Sequence, residues 1–285
     1  MSKIREVRVS LKSRSTMEGA GVRLKRAFGN ADPSLDPFLL LDDFHSKNPT
    51  DYMAGFPWHP HRGIETITYM LHGRVEHGDS MKNSGIIGAG DVQWMTAGSG
   101  IIHQEMPKKN EDDPYLAGFQ LWANLPASHK MMDPRYRDIT KDIIPEVSVN
   151  NRVKVKIICG EINGVKGPVQ DIITEPEYLD VVIEPNSEFK HSIDNGHNVF
   201  AYVIEGEATF DLTKNEIIGP EHLVIFSEGD EVLIQTKTKP VRFLLISGKP
   251  IGEPVAWRGP IVMNTEEELR LAFNEYNKGT FIKHQ

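Results

Sequence analysis

Short apolar runs broken by Gly, Pro, Asn and Asp recur along the whole chain, and long helical patterns are scarce. A chain punctuated this often is restricted to many short strands closed into a β-sandwich or barrel. Its 24 glycines and 18 prolines supply the tight turns that such an all-β architecture needs. In the first half, strands are predicted at residues 6–11, 38–41, 65–71, 91–96 and 118–125, with turn clusters such as His72-Gly73 and Gly88-Ala89-Gly90-Asp91 between them. The charged stretch at residues 126–149, which contains Met131-Met132-Asp133-Pro134, reads as an irregular connector. Strands resume at residues 153–159, 178–183, 199–204, 208–212, 222–226, 231–235 and 241–246. The two runs suggest a duplicated barrel, although no residue-level repeat is visible. A chain of 285 residues holds about two domains of roughly 150 residues. The expected division is an N-terminal domain at residues 1–135 and a C-terminal domain at 136–285. Near the end, Thr265 followed three residues later by Glu268 forms a capping box, and Leu269, Ala272, Phe273 and Tyr276 follow at helical spacing up to Gly279, so one short C-terminal helix is predicted there.

Charge and cysteine content exclude several functions. The net charge of −8 repels phosphate backbones and anionic lipid, and no Lys/Arg cluster reverses it locally, which argues against direct nucleic-acid binding. Cys159 is the only cysteine, so no internal disulfide and no multi-thiolate metal site can form. It sits in an apolar run and reads as a small core residue. Lys3, Arg5 and Glu6 stand where a signal peptide would be apolar, and no window reaches the ~18 apolar residues of a membrane span. A cytoplasmic location, away from membranes, is expected.

The chemistry concentrates in two short segments. In His59-Pro60-His61 the imidazoles are two residues apart, which in an extended chain directs both to one face, about 6.5–7 Å apart. Pro60 cannot donate to a strand ladder, so the segment is expected at a sheet edge or bulge. His103-Gln104-Glu105 repeats the device with an imidazole and a carboxylate. Two such strands make a four-ligand site: His59, His61, His103 and Glu105. Three neutral imidazoles and one carboxylate suit Fe(II), Mn, Ni, Cu or Zn better than Mg or Ca. A six-coordinate ion held this way keeps two positions open, unlike a closed structural zinc site. Glu65 shares the parity of His59 and His61 and stays open to three readings: a ligand, an acceptor orienting an imidazole, or a plain strand residue beside Arg62. His45, His72, His77, His129, His197 and His284 lie in turns, loops, connector or tail and are expected exposed, and His191 and His222 lack a carboxylate partner at strand spacing.

The segments HPHRGIETITYMLHG, GAGDVQWMTAGSGIIHQEMP and GFQLWANLP resemble the central motifs of the pirin family within the cupin superfamily, and the likeness extends over residues 36–265. The general cupin pattern is met only in part. Three residues separate Gly55 from His59, Thr96 stands at the proline position and four residues separate Gly98 from His103, as in the pirin version. The resemblance implies a bicupin of two jelly-roll barrels with metal only in the N-terminal one. It also implies ligation by His59, His61, His103 and Glu105, with iron as the first metal to consider. Pirin-like proteins are associated with quercetin 2,3-dioxygenase activity, and eukaryotic members with transcriptional co-regulation.

The expected function is a dioxygenase whose flavonol-like substrate yields its hydroxyl proton to Glu105 and meets dioxygen in an apolar pocket. Trp94, Met95, Phe119 and Gln120 are candidate walls, and each reads equally well as barrel core. The alternatives are a regulatory protein whose metal redox state switches a surface for a protein partner, and an ion that only stabilises the barrel.

Overall fold

The computed structural model describes residues 2–284. Two compact units form, each a double-sheet β-barrel, and one short helix lies near the C-terminus, as expected for an all-β chain of two cupin-type barrels. The units do not split the chain at residue 135. The first contains Arg14–Ala31, Phe38–Lys141 and the stretch from Ile251 onward; the second contains the stretch up to Ser13, Asp32–Pro37 and Asp142–Pro250. Two local causes explain the difference. The Val7–Lys12 strand pairs antiparallel with His222–Phe226, Ser10 opposite Val224, which assigns the N-terminus to the second unit. The helix Glu266–Asn277, capped reciprocally by Thr265 and Glu268, buries Leu269 and Ala272 against Ile261, Met263 and Phe281, which assigns the C-terminal segment to the first unit.

In the first unit a seven-stranded sheet runs in the order Arg135–Ile139, Val92–Thr96, Ile64–His72, Leu116–Asn124, Phe38–Ser46, Val22–Gly29, Arg14–Glu18. Facing it is a four-stranded sheet, Phe56–His61, Ile101–Pro107, Val75–Asp79, Ser84–Ile87. The second unit repeats this plan. Its seven-stranded sheet runs Val7–Lys12, His222–Phe226, Asn198–Gly206, Val241–Gly248, Glu177–Ile183, Val153–Cys159, Glu146–Asn150, and its four-stranded sheet runs Glu188–Ser192, Glu231–Gln235, Ala208–Thr209, Ile217–Ile218. The duplication that strand spacing suggested is therefore present in topology.

Several segments depart from expectation. Residues 135–139, read as part of an irregular connector, form an edge strand with Arg135 opposite Thr96 and Ile139 opposite Val92. Its alternation is too polar to signal a strand; pairing with an ordered neighbour supplies what the side chains do not. The charged strands Arg14–Glu18 and Val22–Gly29 were likewise invisible, because Arg23, Lys25 and Arg26 interrupt the apolar run. Cys159 is buried, with Sγ 3.2 Å from the Val169 carbonyl oxygen, consistent with a core role.

Candidate metal centre and pocket

The Phe56–His61 strand is the edge of its sheet, where a strand containing Pro57 and Pro60 costs no ladder bond. It pairs with Ile101–Pro107 so that His59 lies opposite His103 and Ile101 opposite His61. One nitrogen from each of His59, His61 and His103 falls within 4.8 Å of the others.

Tautomers show what this cluster requires. Nδ1 of His59 lies 2.8 Å from the Pro57 carbonyl oxygen, and Nδ1 of His61 lies 2.9 Å from that of Pro260. Carbonyl oxygens only accept, so each Nδ1 carries a proton, and in the neutral ring Nε2 then presents a lone pair. Those two Nε2 atoms stand 3.1 Å apart. Two facing lone pairs repel unless a cation lies between them. His103 is fully buried and neither of its ring nitrogens has a hydrogen-bond partner among the described residues, an arrangement that a nearby metal satisfies. Burial lowers the pKa of both His61 and His103 well below 6.5; the charge of His59 adds to this at His61, and those of His61, His59 and His77 add at His103. His61 and His103 are thus kept neutral, the form that ligates. The donor set fits one transition-metal ion.

Glu105 is not among the groups gathered within that distance. The ladder shifts register between His103 and Glu105, placing Glu105 opposite Phe56. Its carboxylate is instead held on the wall of a cavity: Oε1 accepts from the Thr68 hydroxyl at 2.8 Å and Oε2 from the Gln120 amide at 3.1 Å. The cavity has a volume of about 760 Å³ and contains His59, His61 and Glu105 in its lining. A volume of this size suits a small organic ligand. Val22, Leu24, Leu40, Phe44, Trp122 and Trp257 supply apolar wall. Trp122 packs edge-on against His61 with ring centroids 5.0 Å apart, and Trp257 lies 5.9 Å from Trp122.

Known proteins resemble this chain. The family model for pirin matches residues 21–123, and that for the pirin C-terminal cupin domain matches residues 178–282. A Pseudomonas aeruginosa protein named "Putative quercetin 2,3-dioxygenase" is 41% identical over 284 residues, covering 98% of this chain and 99% of its own. Human pirin is 39% identical over 280 residues, covering 97% and 93%. The chain belongs to the pirin family. A solved quercetin 2,3-dioxygenase from Acinetobacter baumannii superposes on this pirin with a TM-score of 0.90 at 30% identity, covering 98% of this chain and 99% of that one. The Escherichia coli pirin YhhW in complex with nickel(II), 21% identical with a TM-score of 0.63 over 88% of this chain and all of its own, shares the fold.

Other expected site residues of this pirin lie elsewhere. Glu65 is not in the imidazole cluster; its Oε1 accepts from the Thr96 hydroxyl at 2.6 Å, and burial raises its pKa. Parity fails because the chain bends at Gly63, where φ is +78° and an added Cβ would meet the Val262 carbonyl oxygen at 2.0 Å, so Glu65 lies in a strand of the other sheet. Trp94, Met95 and Phe119 are buried and do not line the cavity; Met95 packs with Leu39, Ile64 and Val262, while Gln120, one residue beyond Phe119, does face it. Several histidines expected to be exposed or unpartnered are not, among them His77, His197 and His191. His77 is buried beside His103, ring centroids 5.4 Å apart, with Nε2 3.4 Å from Asp79 Oδ2, and its strand alternates in a polar segment whose inward face sequence does not reveal. His197 is buried as well. His191 reaches a carboxylate on another strand, Glu177, at 3.1 Å.

The bend after His61 is fixed by two buried cations. The Arg62 guanidinium donates to the Ser99 carbonyl at 2.7 Å, the Phe281 carbonyl at 2.9 Å and Glu275 at 2.7 Å, and it stacks on the Phe281 ring. Lys130 donates to the Gly63 and Val262 carbonyls and to Asn124, at 2.8, 3.1 and 2.6 Å. Burial pulls its pKa down to about 7.

Proposed function

We propose that this protein is a metal-dependent dioxygenase of the quercetin 2,3-dioxygenase type, acting on a flavonol-like aromatic substrate with dioxygen. The observation that carries the reading is the pair of imidazole Nε2 atoms 3.1 Å apart on the wall of a 760 Å³ cavity. The names of the Pseudomonas and Acinetobacter proteins support it. His59, His61 and His103 would hold the ion, with Glu105 as the carboxylate donor and Fe(II) as the first metal to test ahead of Mn, Ni, Cu and Zn. When bound, the ion supplies positive charge that acidifies a nearby hydroxyl and the redox chemistry that a reaction with dioxygen needs.

The protein's own groups do the rest. Glu105 accepts the proton of the substrate hydroxyl, and its orientation for that task comes from Thr68 and Gln120. Trp122, held edge-on to His61, and Trp257 present aromatic faces against which a flat ring system stacks. The apolar walls exclude water from the reacting region. Pro260 fixes the His61 tautomer through its carbonyl.

The test is reconstitution of metal-free protein with each candidate ion under argon, followed by admission of air and quercetin. Oxygen uptake, carbon monoxide release and bleaching of the flavonol are expected with at least one ion and absent in His61→Ala. Protein that binds an ion stoichiometrically and turns over no flavonol supports the redox-responsive regulatory reading instead.

A further inference from the structure

Across the large sheet of the first unit, one row of side chains on consecutive strands faces the cavity. Thr68 lies opposite Gln120, Gln120 opposite Asp42, and Asp42 opposite Arg26. Directly opposed residues share a face, so all four project from the same side of the sheet, and all four line the cavity. At one end of the row Thr68 and Gln120 touch Glu105. At the other, Arg26 grips Asp42 through two parallel bonds, Nε to Oδ1 at 2.8 Å and Nη2 to Oδ2 at 2.7 Å, and its Nη1 meets Glu18 at 2.8 Å. Strand spacing puts Asp42 about 5 Å and Arg26 about 10 Å from Gln120 along the row. Apolar side chains flank it: Leu24 two residues before Arg26, Leu40 and Phe44 on either side of Asp42, and Trp122 two residues after Gln120. The wall is therefore apolar with one polar line running outward from the reacting end.

We propose that Asp42, oriented by Arg26, is a specificity-determining residue that accepts a hydrogen bond from a hydroxyl on an outer ring of a flat polyphenol. The same cluster rejects ligands that carry an anion at that place. This deepens, and rests on, the reading of the cavity as a flavonol site. A carboxylate offers about four acceptor positions, and the two bonds from Arg26 use only part of that capacity. The guanidinium, in turn, is committed to two carboxylates, and those two charges exceed its own by one. A neutral hydroxyl donor is welcome beside such a group, and a sulfate or carboxylate is not. Asp42 is almost fully buried, so its acceptor strength is not diluted by water.

The experiment measures binding to metal-loaded protein under argon, read by quenching of the pocket tryptophans, for three probes. These are 3-hydroxyflavone, which lacks outer hydroxyls; quercetin, which has them on both outer rings; and quercetin sulfated on an outer ring. Wild-type protein is expected to bind quercetin at least tenfold more tightly than 3-hydroxyflavone and to bind the sulfate more weakly than quercetin. In Asp42→Ala the quercetin preference falls toward unity, and in Glu18→Gln the penalty on the sulfate shrinks. The wild-type ratio needs no variant, so a misfolded Asp42→Ala does not protect the proposal, and Asp42→Asn provides a second, shape-preserving variant. Equal binding of quercetin and 3-hydroxyflavone, or an undiminished ratio in both Asp42 variants, overturns the proposal while leaving the flavonol reading intact. Failure of all three probes to bind overturns both.

Discussion

In the first unit the strand pair Phe56–His61 and Ile101–Pro107 sets His59 opposite His103. The pair holding the same place in the second unit, Glu188–Ser192 and Glu231–Gln235, sets Phe189 opposite Ile234 and His191 opposite Val232. The surrounding interiors follow suit. The second unit is filled by one continuous apolar cluster that includes Phe189, Phe210, Phe226 and Phe243, and its aromatic rings touch, Phe210 meeting Phe243 edge-on at 5.3 Å. The first unit contains smaller apolar clusters, encloses a 760 Å³ cavity and buries Thr68, His77, Gln93, His103 and Glu105. One strand order thus serves two ends. A scaffold that closes its sheets with main-chain bonds leaves the inward residues free to be either packing or chemistry.

The sharpest way to break the comparison is to remove a ligand. His103→Ala is expected to abolish retention of the ion and all oxygen uptake, checked by elemental analysis after gel filtration, whereas Val232→Ala at the matching strand of the second unit leaves both in place. Retained metal in His103→Ala would end the assignment.

Packing distinguishes the units next. Phe243→Ala, in the filled interior, is expected to cost about 3–5 kcal/mol. Leu24→Ala, on the cavity wall, should cost less than about 2 kcal/mol, because the space it vacates joins an existing cavity rather than creating a dry void. Urea titrations of the two variants measure this, and equal losses would deny the contrast.

Smaller still is Lys130→Met, expected to cost about 2–3 kcal/mol by leaving the Gly63 and Val262 carbonyls unpaired. Because those carbonyls flank the bend after His61, the variant should also loosen the ion, which equilibrium dialysis would detect.

The last difference is one of pH. His61 and His103 have folded-state pKa values lowered by burial and by their neighbours, while unfolded imidazoles keep the ordinary value near 6.5. Below that value the unfolded chain binds more protons than the folded one, so metal-free protein loses stability as pH falls from 6.5 toward the folded pKa values and keeps it above. Saturation with the ion should deepen the loss, because protons compete for the same nitrogens. Thermal melts from pH 7.5 to 5 check the sign; a flat profile in metal-free wild type contradicts it.

Local patterns were legible in the sequence. The two-residue spacing of His59 and His61 survives because an extended strand enforces it, and the capping box at Thr265 and Glu268 is complete within four residues. Parity beyond a bend was not legible: Glu65 belongs to a different sheet because the backbone turns at Gly63. Pocket walls were hidden for a related reason. Arg26, Asp42, Gln120 and Thr68 form a row only through pairing of four strands, and nothing in their spacing along the chain announces it. Trp122 and Trp257 meet across 135 positions of sequence for the same reason. The burial of His77 depended on which face of a polar strand turns inward, and the Tyr136 ring stacked on it comes from a strand far along the chain, which the segment around His77 does not announce.

Arg62 is fully buried with its charge answered by Glu275 and Phe281, and the tautomer of His61 depends on Pro260. Those partners are synthesised well after the three histidines. Until they are made, Arg62 lacks its carboxylate and keeps only the Ser99 carbonyl among these bonds, and the His61 ring lacks the acceptor that fixes its tautomer. A nascent chain stalled short of residue 260 would carry all three histidines without the carbonyl that sets the His61 tautomer.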